Sequence, residues 1–534
     1  MINFFDWVNS DESLSQDNWL ILGKGPSIDC KSKYDLRDSI VVGLNDVVRD
    51  NNCDIVHIVD LSVLDRVREV IQDKAKYLLM PAIPHEDYHL PGINKTLHRK
   101  SKQTLAELAK SDPTIRSYNE RSSLLFYDTS QADDDNVRHV KLGSFSASTV
   151  VRLLAQSGVR TIRTLGIDGG SNYSPQYRDL EEISLLDAGQ DSYNAQFDEI
   201  AHCIMQYDLD FAPLNIEHPV KVYVGTQPEQ MLATHVLEYS IRKHASMSVE
   251  VYPLHTAISE NNINIELQHG RTPFSFQRFA IPELQGYTGR AIYLDSDMQV
   301  FRDIRELWAW PMQDSEVVAV KERKDERREP GFSVMLIDTE KARWSVSDLQ
   351  KRIAQGEFSY EEVLYQMKHV ANIGRTLPNE WNDLENFSKH TRLIHYTDMI
   401  YQPWISIRNR HAKIWCAELI EAIITGYIDI ALVEEHITKG WIRPSLRYQI
   451  EHKIADPLLL PKHILKLDIE NFVPPLHLPG TIKAMYEGEG AIQKTGLVLY
   501  KLLARLLYIW QQSGMQLAVR KLKLVIKKIG RLIT

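Results

Sequence analysis

The stretch GRAIYLDSDMQVF, residues 289–301, places two aspartates one residue apart directly after an aliphatic run. That run, 291–294, follows Gly289 and is typical of a buried strand in an α/β sheet, where ligands bind at the carboxyl ends of strands. Alternate residues of an extended segment point the same way, so Asp295 and Asp297 can present two carboxylates to one Mg²⁺ or Mn²⁺ ion. The alternative is a strand that ends in a polar turn, because a lone D-x-D recurs by accident.

Length and composition indicate a globular protein of several domains. At 534 residues the chain is too long for one ordinary core, and about three domains are expected. The N-terminal MINFFDWVNSDE is too short and acidic for a signal peptide. The four cysteines form no C-x-x-C pair, which favours a reduced, cytoplasmic protein and argues against a cysteine zinc site. With a net charge of −9, we expect no nucleic-acid partner.

The order of apolar runs predicts two α/β units and a helical extension. Residues 1–215 contain strand-like runs followed by the helix–strand pattern SASTVVRLLAQSGVRTIRTL. The second unit, 216–415, begins at HPVKVYVGTQ, where a fresh strand is predicted over 220–224. The third region, 416–534, is predicted to be helical and to end in an amphipathic basic tail.

The tail differs from the rest of the chain in charge. Residues 491–534 contain nine lysines and arginines and no acid, although the whole chain is acidic. Basic positions 520, 523, 527 and 531 form one helical stripe, and charges interrupt every apolar run before it reaches the length of a membrane span. Such a helix fits the surface of an anionic membrane, which predicts a peripheral protein on the inner face of the cell membrane. A pair of helices packed against the body is the alternative.

Six blocks in the second unit carry a specific resemblance. They are VKVYVGTQPEQMLATHVLEYSIRKHAS, FSFQRFAIPEL, GRAIYLDSDMQVFRDIRELW, GFSVMLID, LPNEWN and LIHYTDMIYQPW, spread over about 200 residues. Their order resembles that of retaining glycosyltransferases of the glycogenin-like family eight. The resemblance implies a GT-A fold, a nucleotide-sugar donor, usually a UDP-sugar, and a divalent metal.

The same resemblance implies roles for individual residues. Asp295 and Asp297 look like the metal carboxylates and His395 like the third metal ligand. Arg278 looks like the arginine that helps to hold the donor, and it is grouped with the two aspartates as catalytic. Thr226 looks like a residue of the nucleotide pocket, and Ser333 is a candidate contact to the donor.

Two positions depart from the family pattern. EPGFSVMLID stands where an asparagine-rich block is usual, so sugar contacts there cannot be copied from the family and Ser333 is only a candidate. Family members often carry a lysine before Pro-Trp that contacts the donor diphosphate, and this chain has the neutral Gln402 there. The phosphate contact is therefore expected to be weaker or to come from elsewhere.

The first unit has a looser resemblance. GKGPSID, the Gly-Leu-Asn at 43–45 and TLGIDGG are similar to the Rossmann-like core of bacterial family forty-two sialyltransferases and related proteins. Glycine after a strand lets a phosphate approach the backbone. This resemblance implies a site for a nucleotide-sugar or another anion, formed by Gly23, Gly25, Ser27, Asn45 and Asp168. An inactive or purely structural domain is the alternative.

HEDYH, residues 85–89, matches the zinc-protease pattern H-E-x-x-H, which requires a helix to bring both histidines to one face. Prolines at 81, 84 and 91 argue against a continuous helix. We therefore set aside a zinc site.

Taken with the tail, the residues and resemblances predict a retaining, Mn²⁺- or Mg²⁺-dependent bacterial glycosyltransferase of polysaccharide biosynthesis. Its donor is expected to be a nucleotide-sugar, and its acceptor a cell-surface glycan or a lipid-linked saccharide. Two other hypotheses stay open. One is a bifunctional enzyme with a second nucleotide-sugar site in the first unit, and the other is a glycan-binding scaffold without turnover.

Overall fold

The structure is a computed structural model that describes residues 1–89, 96–130, 139–141, 145–183, 192–265, 273–321, 331–399 and 401–472. The chain divides into two compact units. Unit 1 comprises Met1–Pro219 with Lys243–Val249, and unit 2 comprises Val220–Arg242 with the described residues after Val249. Within the described ranges, no helix combines the length and apolar character needed to cross a membrane.

Unit 1 is built on a parallel sheet. Its strands are β1 (Ile2–Asn3), β2 (Asn18–Leu22), β3 (Ser39–Leu44), β4 (Cys53–His57), β5 (Ala75–Pro81), β6 (His85–His89), β7 (Thr96–Lys100), β8 (Leu124–Ser130), β9 (His139–Lys141), β10 (Thr161–Leu165) and β11 (Asp210–Pro213). The main sheet has the order β1-β8-β5-β4-β3-β2-β10-β11, with β9 beside β8, and its pairs are parallel. Strands β6 and β7 form a separate antiparallel hairpin.

Helices connect these strands. They are α1 (Phe4–Asn9), α2 (Glu12–Gln16), α3 (Leu61–Val67), α4 (Ile71–Lys74), α5 (Leu105–Ser111), α6 (Pro113–Glu120), α7 (Ser146–Gln156) and α8 (Gln196–Tyr207). The pattern in α7 places Val150, Val151 and Leu154 in the core beside Ile21 of β2 and Ile162 of β10. The strands are buried because helices cover a parallel sheet, which explains their continuous apolar runs.

The direction of winding reverses between β2 and β10. From β2 the chain adds β3, β4, β5 and β8 on one side, and β10 and β11 lie on the other. In open parallel sheets a crevice forms at such a point, outside the carboxyl ends of the strands. The glycine turn after β2 therefore lies where a ligand site is expected in this fold.

Unit 2 contains a mixed sheet and a small second sheet. Its strands are β12 (Val220–Gly225), β13 (Val249–Pro253), β14 (Arg290–Asp295), β15 (Met298–Val300), β16 (Val317–Val320), β17 (Val334–Asp338), β18 (Ile373–Leu377), β19 (Asp383–Leu384) and β20 (Leu393–His395). The larger sheet has the order β13-β12-β14-β17-β16-β18, and the smaller sheet has the order β15-β20-β19. β12 and β14 are parallel, whereas β17 is antiparallel to β14.

The helices of unit 2 pack around these sheets. They are α9 (Met231–His244), α10 (Leu254–Glu260), α11 (Pro273–Phe276), α12 (Ile281–Leu284), α13 (Arg305–Trp308), α14 (Val346–Ala354), α15 (Tyr360–Gln366), α16 (Ala412–Ile424), α17 (Ile430–Thr438), α18 (Ser445–Glu451) and α19 (Lys462–Asn471). One core cluster joins Tyr293 of β14 to Met335 of β17, Phe279 and Trp344. Strand β14 is thus anchored in a buried core close to the point at which it ends.

The prediction of an α/β protein with two sheet-containing units is confirmed. The apolar run 291–294 forms most of β14, and Asp295 is the last residue of that strand. The predicted strand at 220–224 is β12, and the predicted helix in SASTVVRLLAQ is α7. HEDYH forms β6, so its two histidines are not on a helix. The tail, 491–534, lies outside the described residues.

Candidate metal and donor site

The candidate site lies where two parallel strands of unit 2 end together. Gly225, the last residue of β12, is the register partner of Asp295, the last residue of β14. The chain then turns through Ser296 and Asp297 before β15 begins at Met298. Met298 pairs with His395 of β20, which brings the histidine to the two aspartates. The two aspartates and His395, about a hundred residues further along the chain, therefore meet at one sheet edge.

The predicted metal ligands form a compact cluster. His395 Nε2 lies 3.1 Å from Asp297 Oδ1 and 3.8 Å from Asp295 Oδ2. One ligand atom from each residue lies within 4.8 Å of the other two, with Asp295 and His395 buried and Asp297 partly buried. Two carboxylates and one imidazole are a donor set that suits Mn²⁺ or Mg²⁺. The residues present thus fit the cation that the sequence predicts.

A second layer fixes the orientation of His395. Its Nδ1 lies 3.0 Å from the side-chain oxygen of Asn382, a residue without solvent exposure. Because an amide oxygen only accepts, Nδ1 carries the proton and Nε2 faces the carboxylates. Burial alone would lower the pKa of His395, but the adjacent Asp297 and Asp295 carboxylates raise it above its usual value. The cluster therefore carries negative charge that favours a cation.

Asp295 is held from its other side by Tyr293 and Arg278. The Tyr293 hydroxyl donates to Asp295 Oδ1 over 2.5 Å, and Arg278 Nη2 lies 3.7 Å from the same oxygen. The Arg278 guanidinium lies over the Tyr293 ring, 4.6 Å from its centroid, and Nη1 donates to the Phe332 carbonyl. Its buried Nε has no hydrogen-bond partner among the described residues. Arg278 is thus fixed beside the aspartates, as the predicted donor role requires.

The two other predicted donor residues lie at the same edge. Thr226 follows Gly225 directly, but it is fully buried and its hydroxyl is hydrogen-bonded to Thr234. Ser333 precedes β17, whose first residue, Val334, pairs with Leu294 next to Asp295. Their contacts to a donor stay predictions.

Sequence reasoning missed three residues that support the ligands. Tyr293 lies in the opening stretch, Asn382 ends the block LPNEWN, and Gly225 ends β12. A Cβ at Gly225 would lie 2.4 Å from the Tyr293 hydroxyl oxygen, so only glycine leaves room for that hydroxyl. The Gly-Thr pair directly after an apolar strand was the available signal for Gly225. Its contact with Tyr293 of β14 could not be inferred from the spacing of residues.

In unit 1 the structure brings together four of the five predicted residues. Ser27 N–H donates to Asp168 Oδ2 over 2.7 Å, and the Ser27 hydroxyl accepts from Gly166 N–H. Gly23 and Gly25 donate their N–H groups to the carbonyls of Leu165 and Gly166. The turn after β2 is therefore closed onto the end of β10, and these donors already have partners within the chain.

This closure explains both glycines of the turn. A Cβ at Gly23 would lie 2.3 Å from the Gly166 carbonyl oxygen, and one at Gly25 would lie 2.5 Å from Asp168 Oδ2. The atoms that leave no room for a side chain at either glycine thus belong to the chain itself and not to a ligand. A ligand site at this turn stays a prediction, and the structural alternative accounts for the glycines without a ligand.

The remaining polar groups of this region lie at the adjacent strand end. Asn45, in the left-handed region at φ 53°, donates to the Ser146 hydroxyl at the start of α7. Lys24 points to the buried Asp46, with 3.6 Å between Nζ and Oδ2, and burial lowers the pKa of this lysine. Arg66 donates to both oxygens of the same aspartate. The charge on Lys24 therefore serves an internal ion pair.

Comparison with known proteins gives one family match, which lies mostly in unit 2. Residues 239–348 match the family model described as Glycosyl transferase family 8. The predicted family 8 segment in the C-terminal half is confirmed by this match, which includes Arg278, both aspartates and Ser333. His395 and Thr226 lie outside the matched residues, so their assignment rests on the resemblance and on the geometry above.

Individual relatives cover limited parts of either chain. "Protein CDI" of Arabidopsis thaliana is 35% identical over 92 residues, which are 17% of this chain and 36% of that protein. The chain thus spans about a third of this curated relative. The galactosyltransferase LgtC, solved with donor and acceptor sugar analogs, is 12% identical with a TM-score of 0.29, covering 38% of this chain and 95% of LgtC. The bifunctional glycosyltransferase WbbM is 14% identical with a TM-score of 0.28, covering 42% and 57%.

Proposed function

We propose that unit 2 is a metal-dependent retaining glycosyltransferase that transfers a sugar from a nucleotide-sugar, most simply a UDP-sugar, to a saccharide acceptor. The observation that carries the proposal is the convergence of Asp295, Asp297 and His395 at the end of β14, beside Arg278, with both aspartates inside the family 8 segment. A polar turn would not require a buried histidine with a fixed ring orientation at the same point.

The proposed chemistry follows from the charges of the site. Asp295, Asp297 and His395 would hold Mn²⁺ or Mg²⁺ together with the diphosphate of the donor. When bound, the cation would neutralise the negative charge that develops on the departing nucleoside diphosphate. Arg278 would orient the diphosphate from the side of Asp295, where its guanidinium is already fixed. Because the leaving group is stabilised as an anion, no protein acid is needed to protonate it.

The test is turnover against Mn²⁺ concentration for the full chain. Asp297→Asn keeps size and removes a charge, so metal affinity and turnover should fall together, the latter about a hundredfold or more. His395→Ala should act on the same ion, and the double variant should lose much less than the product of the single losses. Wild-type activity that survives complete chelation would exclude the metal role.

A further part of the proposal concerns the acceptor. The basic residues of 491–534 support an acceptor at an anionic membrane surface, such as a lipid-linked saccharide or a growing cell-surface glycan. We place the protein on the cytoplasmic face on the same grounds. The bifunctional alternative requires a ligand at the glycine turn of unit 1, where Gly23, Gly25 and Ser27 already use their N–H groups within the chain.

A further inference from the structure

Gln402, which stands where family members often carry lysine, is a buried residue with two defined contacts. Its side chain is 5% exposed. Nε2 lies 3.0 Å from Asp297 Oδ2 and 3.0 Å from the carbonyl oxygen of Tyr396. Both partners are acceptors, so the amide nitrogen, and not its oxygen, must face them. Both N–H groups of Gln402 are therefore used, and its orientation is determined by the chain.

The contact also determines the orientation of Asp297. Gln402 occupies Oδ2, while Oδ1 lies 3.1 Å from His395 Nε2 and thus faces the other predicted ligands. Rotation of the carboxylate about its last bond would break the hydrogen bond to Gln402. The side chain is consequently held with one oxygen toward the cation position before any cation binds.

A glutamine differs from a lysine in charge at this point. An amide N–H stabilises the carboxylate geometry without supplying a positive charge, whereas an ammonium group 3 Å from Asp297 would form an ion pair and repel a divalent cation. The neutral residue therefore leaves the full charge of Asp297 for the metal. In the structure, Gln402 contacts Asp297 and thereby supports the cluster of predicted metal ligands. It does not simply mark the absence of a contact to phosphate.

We infer that Gln402 is a positioning residue that holds the Asp297 carboxylate in place as a metal ligand and thereby sets the affinity of the site for a divalent cation. This inference rests on the proposed function, since it assumes that Asp297 binds the cation. It assigns to the residue before Pro403 a task in metal binding in place of a contact with the donor phosphates.

The experiment measures Mn²⁺ binding to the full chain without donor, by electron paramagnetic resonance of free Mn²⁺. Gln402→Met removes both donors at similar size, and the Kd for Mn²⁺ should rise tenfold to a hundredfold, as is typical when a residue that orients a metal ligand is lost. Gln402→Lys should raise the Kd at least as much, because it adds a competing cation. Turnover at saturating Mn²⁺ should recover more fully for the methionine variant than for the lysine variant.

A matched control is available two residues beyond Asp297. Gln299 is also buried and accepts from the Tyr396 hydroxyl and donates to Glu418, so these side-chain hydrogen bonds within the described residues go to none of the three predicted metal ligands. Gln299→Met should therefore cost stability comparable to Gln402→Met and leave the Kd for Mn²⁺ within about twofold of wild type. Thermal unfolding of both variants separates loss of the fold from loss of the site.

The outcomes separate this inference from the proposed function. If wild type binds Mn²⁺ and Asp297→Asn weakens binding, but Gln402→Met binds as wild type does, the positioning role is wrong and the metal site stands. The positioning role is also wrong, and the metal site stands, if Gln402→Lys binds Mn²⁺ normally and turns over faster than wild type. That result would show that a lysine here contacts the donor phosphates. If neither wild type nor Asp297→Asn binds Mn²⁺ measurably, the proposed function and the inference fail together.

Discussion

The side-chain oxygen of Asn382 accepts a hydrogen bond from His395 Nδ1, so that Nε2 of this histidine faces two carboxylates. The hydrogen bond fixes the tautomer of His395, so a change at Asn382 is expected to alter metal binding. Asn382→Leu removes the acceptor, and the Kd for Mn²⁺ should rise roughly tenfold or more because Nε2 is no longer held in its unprotonated form. Asn382→Asp keeps an acceptor for the N–H group at Nδ1, so the Kd for Mn²⁺ of this variant should stay near that of wild type. Equal Mn²⁺ affinities for the leucine variant and wild type would contradict the role given to Asn382.

Gly225 and Tyr293 should be energetically coupled. A methyl group at Gly225 would collide with the Tyr293 hydroxyl, so Gly225→Ala should lower the free energy of unfolding by about 1–3 kcal/mol. Tyr293→Phe removes the atom that is struck, and the double variant should lose clearly less than the sum of the two single losses. Denaturant unfolding of the four proteins gives the coupling. Strict additivity would mean that the loss in Gly225→Ala does not arise from a collision with the Tyr293 hydroxyl.

Gly25→Ala should destabilise unit 1 whether or not a ligand binds at the glycine turn. The added Cβ would lie 2.5 Å from Asp168 Oδ2 and 2.9 Å from the Gly166 carbonyl, and the expected loss is about 1–3 kcal/mol. Gly170→Ala is the control, since that glycine has φ +66° but no atom within 4 Å of a Cβ. Gly170→Ala therefore measures the cost of a positive φ alone, whereas an unchanged free energy of unfolding for Gly25→Ala, whose φ is −68°, would contradict the collision.

Acid should weaken unit 1 through a buried histidine. Burial lowers the pKa of His57 to about 3, and its Nε2 is hydrogen-bonded to the Tyr127 hydroxyl. In the unfolded chain the pKa is about 6.5, so below that pH the unfolded state takes up a proton that the folded state does not. The stabilising effect is full above about pH 6.5 and is lost by about 1.4 kcal/mol per pH unit as the pH falls toward 3.

The measurement compares the pH dependence of urea unfolding in wild type and His57→Gln, which cannot titrate. Between about pH 6 and pH 4 the variant should lose less stability per pH unit than wild type, by the equivalent of one proton. The exposed His202→Gln is the control and should keep the wild-type slope. Identical slopes for wild type and His57→Gln would rule out this source of acid sensitivity.

The basic tail should determine binding to anionic membranes. Truncation after residue 490 removes nine cationic residues, each worth on the order of 1 kcal/mol at an anionic surface. The shortened protein should no longer sediment with phosphatidylserine-containing vesicles, while hydrolysis of the donor in unit 2 should continue. Unchanged sedimentation, or binding that is equally strong to neutral phosphatidylcholine vesicles, would refute the electrostatic explanation.

The sequence predicted the elements of the fold better than the contacts between them. The run 291–294 is apolar on every residue because β14 is covered on both faces, and such runs are readily recognised. Asp295, Asp297 and His395 were found because they lie in recognisable blocks. Their distances could not be predicted, because they depend on the pairing of β15 with β20, a contact between segments about a hundred residues apart.

The supporting residues were harder to predict for a different reason. Asn382, Tyr293 and Gln402 are ordinary members of their residue types in the sequence, and they acquire a role only through one hydrogen bond each to a ligand. In unit 1 the contacts of the glycine turn were equally beyond prediction. The atoms that a Cβ at Gly23 or Gly25 would meet belong to Gly166 and Asp168, just after β10 and about 140 residues further along the chain, and the ligand site itself stays a prediction.

The antiparallel register in which Met298 faces His395 has a consequence for how this protein can vary. Side chains alternate between the two faces of a strand, so sliding β20 by one residue would turn His395 away from the aspartates and present Ile394 or Tyr396 instead. The surface connections that separate β15 from β20 are under no such constraint, because loop length changes closure entropy only slowly. Homologous chains could therefore vary in the length of surface loops between these strands, whereas one inserted residue inside β20 would abolish the site.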